Sequence, residues 1–190
     1  LGNVDVPLKA VLAGPADLDH LEVHGPASEI EKLKPALGPL GAQFFVTGWG
    51  FRNATPLQAT EEKKLKEPSL EDGTCTLAPY FKLKDAAKFK ALWQADYAKF
   101  AHKEDCVHYA FCFTEDDSRA HCREAYPNAE KLLQHIGDVG AVFHPNEGGC
   151  IHPDVAELEK LEIHGPAEEL EKLKEPLKDL PVTYYACEWG

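Results

Sequence analysis

The stretch LEIHGPAEELEKLK (residues 161–174) has a near-copy, LEVHGPASEIEKLK, at residues 21–34, and eleven of the fourteen positions are identical. Each copy opens on alternating residues that suit a short strand and ends it in Gly-Pro. A helix follows, where the missing proline N–H does no harm. Ile30, Leu33, Leu37 and Leu40 in one copy, and Leu170, Leu173, Leu177 and Leu180 in the other, recur at the helical period. Pro35 and Pro176 mark kinks or ends of these helices. A strand-like segment closes each copy, GAQFFVTGWG (41–50) and PVTYYACEWG (181–190). The unit is therefore β-α-β, present twice.

The likeness begins earlier still, since Leu1-Gly2-Asn3-Val4 matches Ile136-Gly137-Asp138-Val139. The offset grows from 135 to 140, which assigns five extra residues to the second copy, in HPNEGGC. The chain thus reads as one and a third repeat units. Residues 1–54 are the last third of a unit, 55–74 a polar, proline-containing linker and 75–190 a complete unit. A chain that starts and stops inside its own pattern, and has no methionine, reads as excised from a longer tandem array or cut from a precursor. The other reading is that the first third completes the fold of the second unit, or of a partner.

The middle of the complete unit supplies the remaining elements. TLAPYFKLK reads as a strand, DAAKFKALWQADYAKFAHKE (85–104) as a helix, and CVHYAFCF (106–113) with SRAHCREAY (118–126) as a hairpin around TEDD. NAEKLLQHIGDV is a further helix. The order β-α-β-β-α, followed by β-α-β, predicts an α+β fold of ferredoxin-like type.

Bulk properties narrow the partners. A net charge of −12 repels nucleic-acid phosphates and anionic lipid, so no nucleic-acid partner is expected. No apolar run approaches the roughly 20 residues of a membrane span, and the start lacks a signal-peptide pattern. A soluble protein, intracellular or organellar after processing, is expected. Cysteines 75, 106, 112, 122, 150 and 187 form no C-x-x-C pair, and their spacing suits reduced, buried thiols.

REAYPNAEKLLQHIGDVG, followed by LEIHGPAEELEKLKEPL, resembles the antibiotic-biosynthesis-monooxygenase-like (ABM-like) group of dimeric α/β-barrel proteins. The resemblance spans 75–190 as a whole unit and 1–50 as a partial one. It implies an antiparallel sheet with helices on one face, whose bare face closes a barrel, usually across a dimer. Self-association through that face follows, as a homodimer or an intramolecular pseudo-dimer. Some relatives oxidise aromatic polyketides without a cofactor, and some degrade haem with an Asn, a Trp and a His. Trp93 and His135 stand on helices that bear comparison, and no Asn in the first strand completes that set.

Three groups of residues are candidates for chemistry. In the hairpin, Val107, Tyr109, Phe111 and Phe113 share the face expected to meet the helices, and His108 and Cys112 point the other way. If the turn closes with odd-sum pairing, His121 and Arg123 join that second face, whereas an even-sum register would scatter the set. His108, Cys112 and His121 then form a possible zinc or copper site, and Arg123 a contact for an anionic substrate group. In the helix, Asp96 falls within the arc of Phe89, Leu92, Trp93, Tyr97 and Phe100, which suits a desolvated general base. Finally, Glu22 with His24, and Glu162 with His164, stand two apart on a strand, where they either tune a base or metal ligand or serve the adjacent turn.

Two functions follow as expectations. One is an ABM-like binder of a small apolar molecule that oxygenates it without a cofactor, with Asp96, His108 and His121 catalytic and Trp93, Tyr109 and Arg123 on the substrate. The other is a non-catalytic structural or assembly module. No cofactor is expected, with a transition metal or haem as the alternative.

Overall fold

The computed structural model describes residues 20–52, 73–100, 106–140 and 142–188, with the side chains of 49–52 and 96–100 outside the description. The opening of the repeat at 1–19, most of the expected linker, Trp189 and the side chains of Asp96, Tyr97 and Phe100 lie outside the described residues.

The first repeat folds as β1 (Glu22–Gly25), α1 (Ala27–Leu37) and β2 (Gln43–Arg52). The complete unit contributes β3 (Cys75–Leu83), α2 (Ala86–Phe100), β4 (His108–Phe113), β5 (Arg119–Tyr126), α3 (Ala129–Val139), β6 (Ala156–Gly165), α4 (Ala167–Lys174) and β7 (Val182–Ala186). The HGP turns act alike in both copies. Pro26 and Pro166 take matching extended conformations as the residue before the helix, at φ −61°, ψ 145° and φ −60°, ψ 143°. Pro35 sits inside α1, and α4 ends before Pro176.

The seven strands form one sheet in the order β1-β2-β4-β5-β3-β6-β7. Its centre is antiparallel, and the two edges are the parallel pairs β1–β2 and β6–β7. This is a ferredoxin-like α+β sheet, β4-β5-β3-β6, with one strand pair added on the β4 side and β7 on the other. The first repeat docks within the chain, because β2 pairs antiparallel with β4 from Val46↔Phe113 to Arg52↔His108. The hairpin has the odd-sum register, Cys112 opposite His121 and Ala110 opposite Arg123.

Both β-α-β units cross over in the same sense, which puts the helices on one face. The core lies under them. Phe81, Phe89, Trp93, Phe111 and Phe113 form its aromatic centre, with Trp93 5.0 Å from Phe111 and Phe89 5.1 Å from Phe81 between ring centroids. Each such burial stabilises the fold by about 1.5–3 kcal/mol. Val107, expected on that face, precedes β4 and is 42% exposed.

The other face is strongly curved. Three strand spacings separate β1 from β5, about 14 Å in a flat sheet, yet the rings of His24 and His121 are 4.8 Å apart. Tyr80 of β3, one strand further, donates its hydroxyl hydrogen to Glu22 at 3.1 Å. The sheet therefore rolls β1 over β5 and β3. This explains why Phe45 and His121, both on the face without helices, are 1% and 2% exposed.

Candidate functional site

The rolled face encloses an open cavity of ≈ 520 Å³. Glu22 and His24 line it from β1, and Glu162 and His164 from β6. Tyr80, His108, His121 and Arg123 come from the strands between. The two copies of the repeated Glu-x-His thus meet one cavity from two strands. A second hollow of ≈ 330 Å³, lined by His20, Gln43 and Arg119 among others, reaches Glu22 from another side.

Glu22, His24 and His121 converge. Among the described residues they are the one group of three metal-ligating side chains whose ligand atoms all lie within 4.8 Å of one another. Glu22 Oε2 accepts from Tyr80 and stands 3.2 Å from His24 Nε2. His24 stacks on Phe45 at 4.9 Å with the rings 5° from parallel, and His121 stacks on Tyr80 at 4.0 Å. His121 Nδ1 lies 3.1 Å from the Pro79 carbonyl. A carbonyl oxygen only accepts, so Nδ1 carries the hydrogen and Nε2 a lone pair. Pro79 makes this possible: a proline weakens the ladder of a central strand, the β3–β5 pairing is interrupted at Ala78-Pro79, and the imidazole takes up the carbonyl there.

The electrostatics follow from burial and proximity. Burial, reinforced by the neighbouring His24, pushes His121 down to about 3, so the ring is neutral at pH 7. Burial works to raise the Glu22 carboxyl, but hydrogen bonds from His24 and Tyr80 and the nearby His121 outweigh it and hold it at about 2. Burial and the Glu22 and Glu162 carboxylates push the Tyr80 phenol up, which keeps it a donor. Lys160 lies over the Tyr80 ring at 3.9 Å and donates to Glu162 at 3.0 Å.

The expected site residues divide between the two faces of the sheet. His108, Cys112, His121 and Arg123 are on the rolled face, with Arg123 exposed. His108, Cys112 and His121 do not converge as a metal set. His108 and Cys112 are four residues apart on one strand, about 13 Å, and the Cys112 thiol is 3.5 Å from the Thr47 hydroxyl. Trp93 and Tyr109, expected on the substrate, are 4% and 1% exposed in the helix-side core. Helix α2, which carries Asp96, lies on that side too, so Asp96 is across the sheet from His108 and His121. His135 is also sealed there, 2.9 Å from Glu124, which accepts from Tyr126 at 2.8 Å. The hollow lined by Trp93 and His135 measures only ≈ 30 Å³. The His24 ring meets Glu22 through Nε2, and its Nδ1 has no hydrogen-bond partner among the described residues, while the His164 ring stacks on Tyr185 at 4.7 Å.

Tyr80 and Lys160 were not singled out in the sequence. The signal was present for Tyr80: in TLAPYFKLK the two-residue period sets it opposite Leu77 and Phe81, an aromatic ring on the strand's other face.

Fold and site together define a ferredoxin-like α+β protein with a polar, imidazole-lined cavity in its rolled sheet. No protein-family model matches the chain, and no curated protein matches it. Among solved structures it is similar to that titled "Crystal structure of MupZ from Pseudomonas fluorescens", with 31% identity and a TM-score of 0.48, over 60% of this chain and 90% of that one. No helix among the described residues is long and apolar enough to cross a membrane.

Proposed function

We propose that the protein is a small-molecule-binding protein of the ABM-like kind, whose ligand lies on the rolled face of the sheet. The observation that carries this reading is the ≈ 520 Å³ cavity with its imidazoles, Tyr80 and Arg123. The helix side offers a hollow of ≈ 30 Å³, space for about one water, which argues against an apolar ligand beside Trp93.

The lining supports one ligand class. Arg123 suits a carboxylate or phenolate, and an aromatic ring bearing that group is the ligand tested first. If the ligand is a phenol, an imidazole of the lining would take its proton, leaving a phenolate beside Arg123. That proton transfer is where oxygenation by dioxygen without a cofactor would begin.

Saturation-transfer nuclear magnetic resonance against aromatic carboxylates and phenols tests the reading, with an oxygen electrode reporting turnover. Binding of at least one anionic aromatic is expected, weakened about tenfold or more by R123A and unaffected by W93F. Binding indifferent to R123A, or no binding across the panel, would overturn it. Oxygen consumption lost on replacing an imidazole of the lining, tested one at a time, would support the catalytic form. Binding without consumption would leave a binder alone.

A second reading, a non-catalytic assembly module, is favoured by one observation. Residues 20–52 add two strands to the sheet of the complete unit, so the first repeat supplies a wall that an ABM-like dimer would take from its partner.

A further inference from the structure

We infer that Glu22, His24 and His121 form a binding site for a divalent first-row transition-metal ion of the zinc type. The inference does not rest on the ligand proposed above, because every ligand atom named here belongs to the protein.

The donor set comes first. Two imidazoles and one carboxylate select nitrogen-preferring divalent ions over calcium and magnesium, and three protein ligands leave a coordination position open. The ligand atoms lie within 4.8 Å of one another. Ligands about 2.1 Å from a tetrahedral ion stand about 3.4 Å apart, so binding draws the set together by up to roughly 1.4 Å. His121 is anchored and nearly sealed. His24 and Glu22, on the overlying edge strand, are the parts that move.

The surroundings are those of a supported site. The Pro79 carbonyl fixes the His121 tautomer and leaves Nε2 with its lone pair, the arrangement that orients a ligating imidazole. Tyr80 holds the Glu22 carboxylate, and Phe45 holds the plane of the His24 ring. His24 also carries a buried ring nitrogen, Nδ1, with no hydrogen-bond partner among the described residues. The Lys160 charge is engaged by Glu162, and Arg123 is exposed. Cavities on two sides of Glu22 give an ion a way in and leave room for water.

The repeat supplies an internal comparison. Glu162 and His164 occupy the equivalent positions in the second copy, where they face Ala78 and Thr76 across the ladder. Among the described residues no third ligand joins them. The same motif therefore completes a triad only where the sheet rolls it onto His121.

The test is titration of the chelator-treated full chain with zinc by calorimetry and with cobalt(II) by visible absorption. One saturable equivalent is expected, with a nitrogen–oxygen cobalt spectrum. E22Q, H24F and H121N should each weaken binding more than about tenfold, and H164A less than twofold. E22Q retains the side-chain shape and H24F the stack on Phe45, and circular dichroism establishes that each variant is folded. Absence of saturable binding, binding unchanged in the three variants, or a thiolate-to-cobalt charge-transfer band would each overturn the inference. No organic ligand is present, so its failure and that of the Arg123-dependent reading are separate results.

Discussion

Glu124 is a carboxylate 4% exposed in the layer between sheet and helices, and such a charge is tolerated only when its neighbours answer it. His135 at 2.9 Å and the Tyr126 hydroxyl at 2.8 Å do so. Burial works to raise the carboxyl, but His135 outweighs it, and the net shift is downward from 4.5. A carboxyl lowered in the folded state contributes stability that is complete above its unfolded value and lost as pH falls through the folded one. E124Q should therefore cost about 2–3 kcal/mol at pH 7. Between pH 7 and pH 3 the variant should lose less stability than wild type, so that the two converge. Urea denaturation at pH 7, 4 and 3 measures both, and parallel curves would contradict the account. The same residue closes the surroundings of His135. Trp93 and His135, which the ABM-like resemblance sets beside a haem-degrading pair, are 4% and 5% exposed, and a resemblance between sequences does not say whether a face is sealed.

The two HGP turns are one sequence element in two environments, and that difference is testable. A Cβ on Gly165 would stand 3.0 Å from the Cys75 sulfur and 3.3 Å from the Thr74 carbonyl oxygen, because β6 lies against β3. At Gly25, on edge strand β1, the nearest atom is Ile30 Cγ1 at 4.0 Å. Neither glycine has a positive φ, so the constraint is space. G165A should lower stability by about 1–3 kcal/mol through overpacking, and G25A by less than about 0.5 kcal/mol. Equal losses in thermal or urea unfolding would show that the turn, and not its neighbours, sets the requirement. At this scale the sequence was informative, since repetition located both β-α-β units, while the hairpin register stood between two alternatives of which the structure has the odd-sum one. It did not disclose which elements would meet. His24 and His121 are 97 positions apart, and the contact depends on the roll of a sheet whose strand order only the tertiary structure specifies. A hairpin can be paired from its own turn; a curved sheet cannot be closed from any one strand.

For the whole molecule, the repeat raises the question of whether the first third belongs to the complete unit or is only tethered to it. The pairing of β2 with β4 runs from Val46 to Arg52 with one bulge between Thr47 and Trp49. Beyond it, Glu22 holds Tyr80, His24 meets His121, and Lys34 of α1 bonds Glu115 in the hairpin turn. Phe45 and Cys112 are each 1% exposed on the rolled face, a degree of burial that requires both parts. These contacts are non-local and do not depend on the covalent connection through residues 53–72. A protease site introduced there and then cut should therefore leave the two pieces together. They should co-elute on gel filtration at the size of the intact chain, keep its circular dichroism and separate only in denaturant. Stability should become concentration-dependent, since a folding step within one chain becomes an association. Pieces that separate under native conditions would mean that the tether, acting by effective concentration, holds the sheet together. The cavity would then be a feature of the connected chain alone. Pieces that stay together would establish the first repeat as a structural wall of the cavity, and R123A should then weaken ligand binding equally in cut and intact protein.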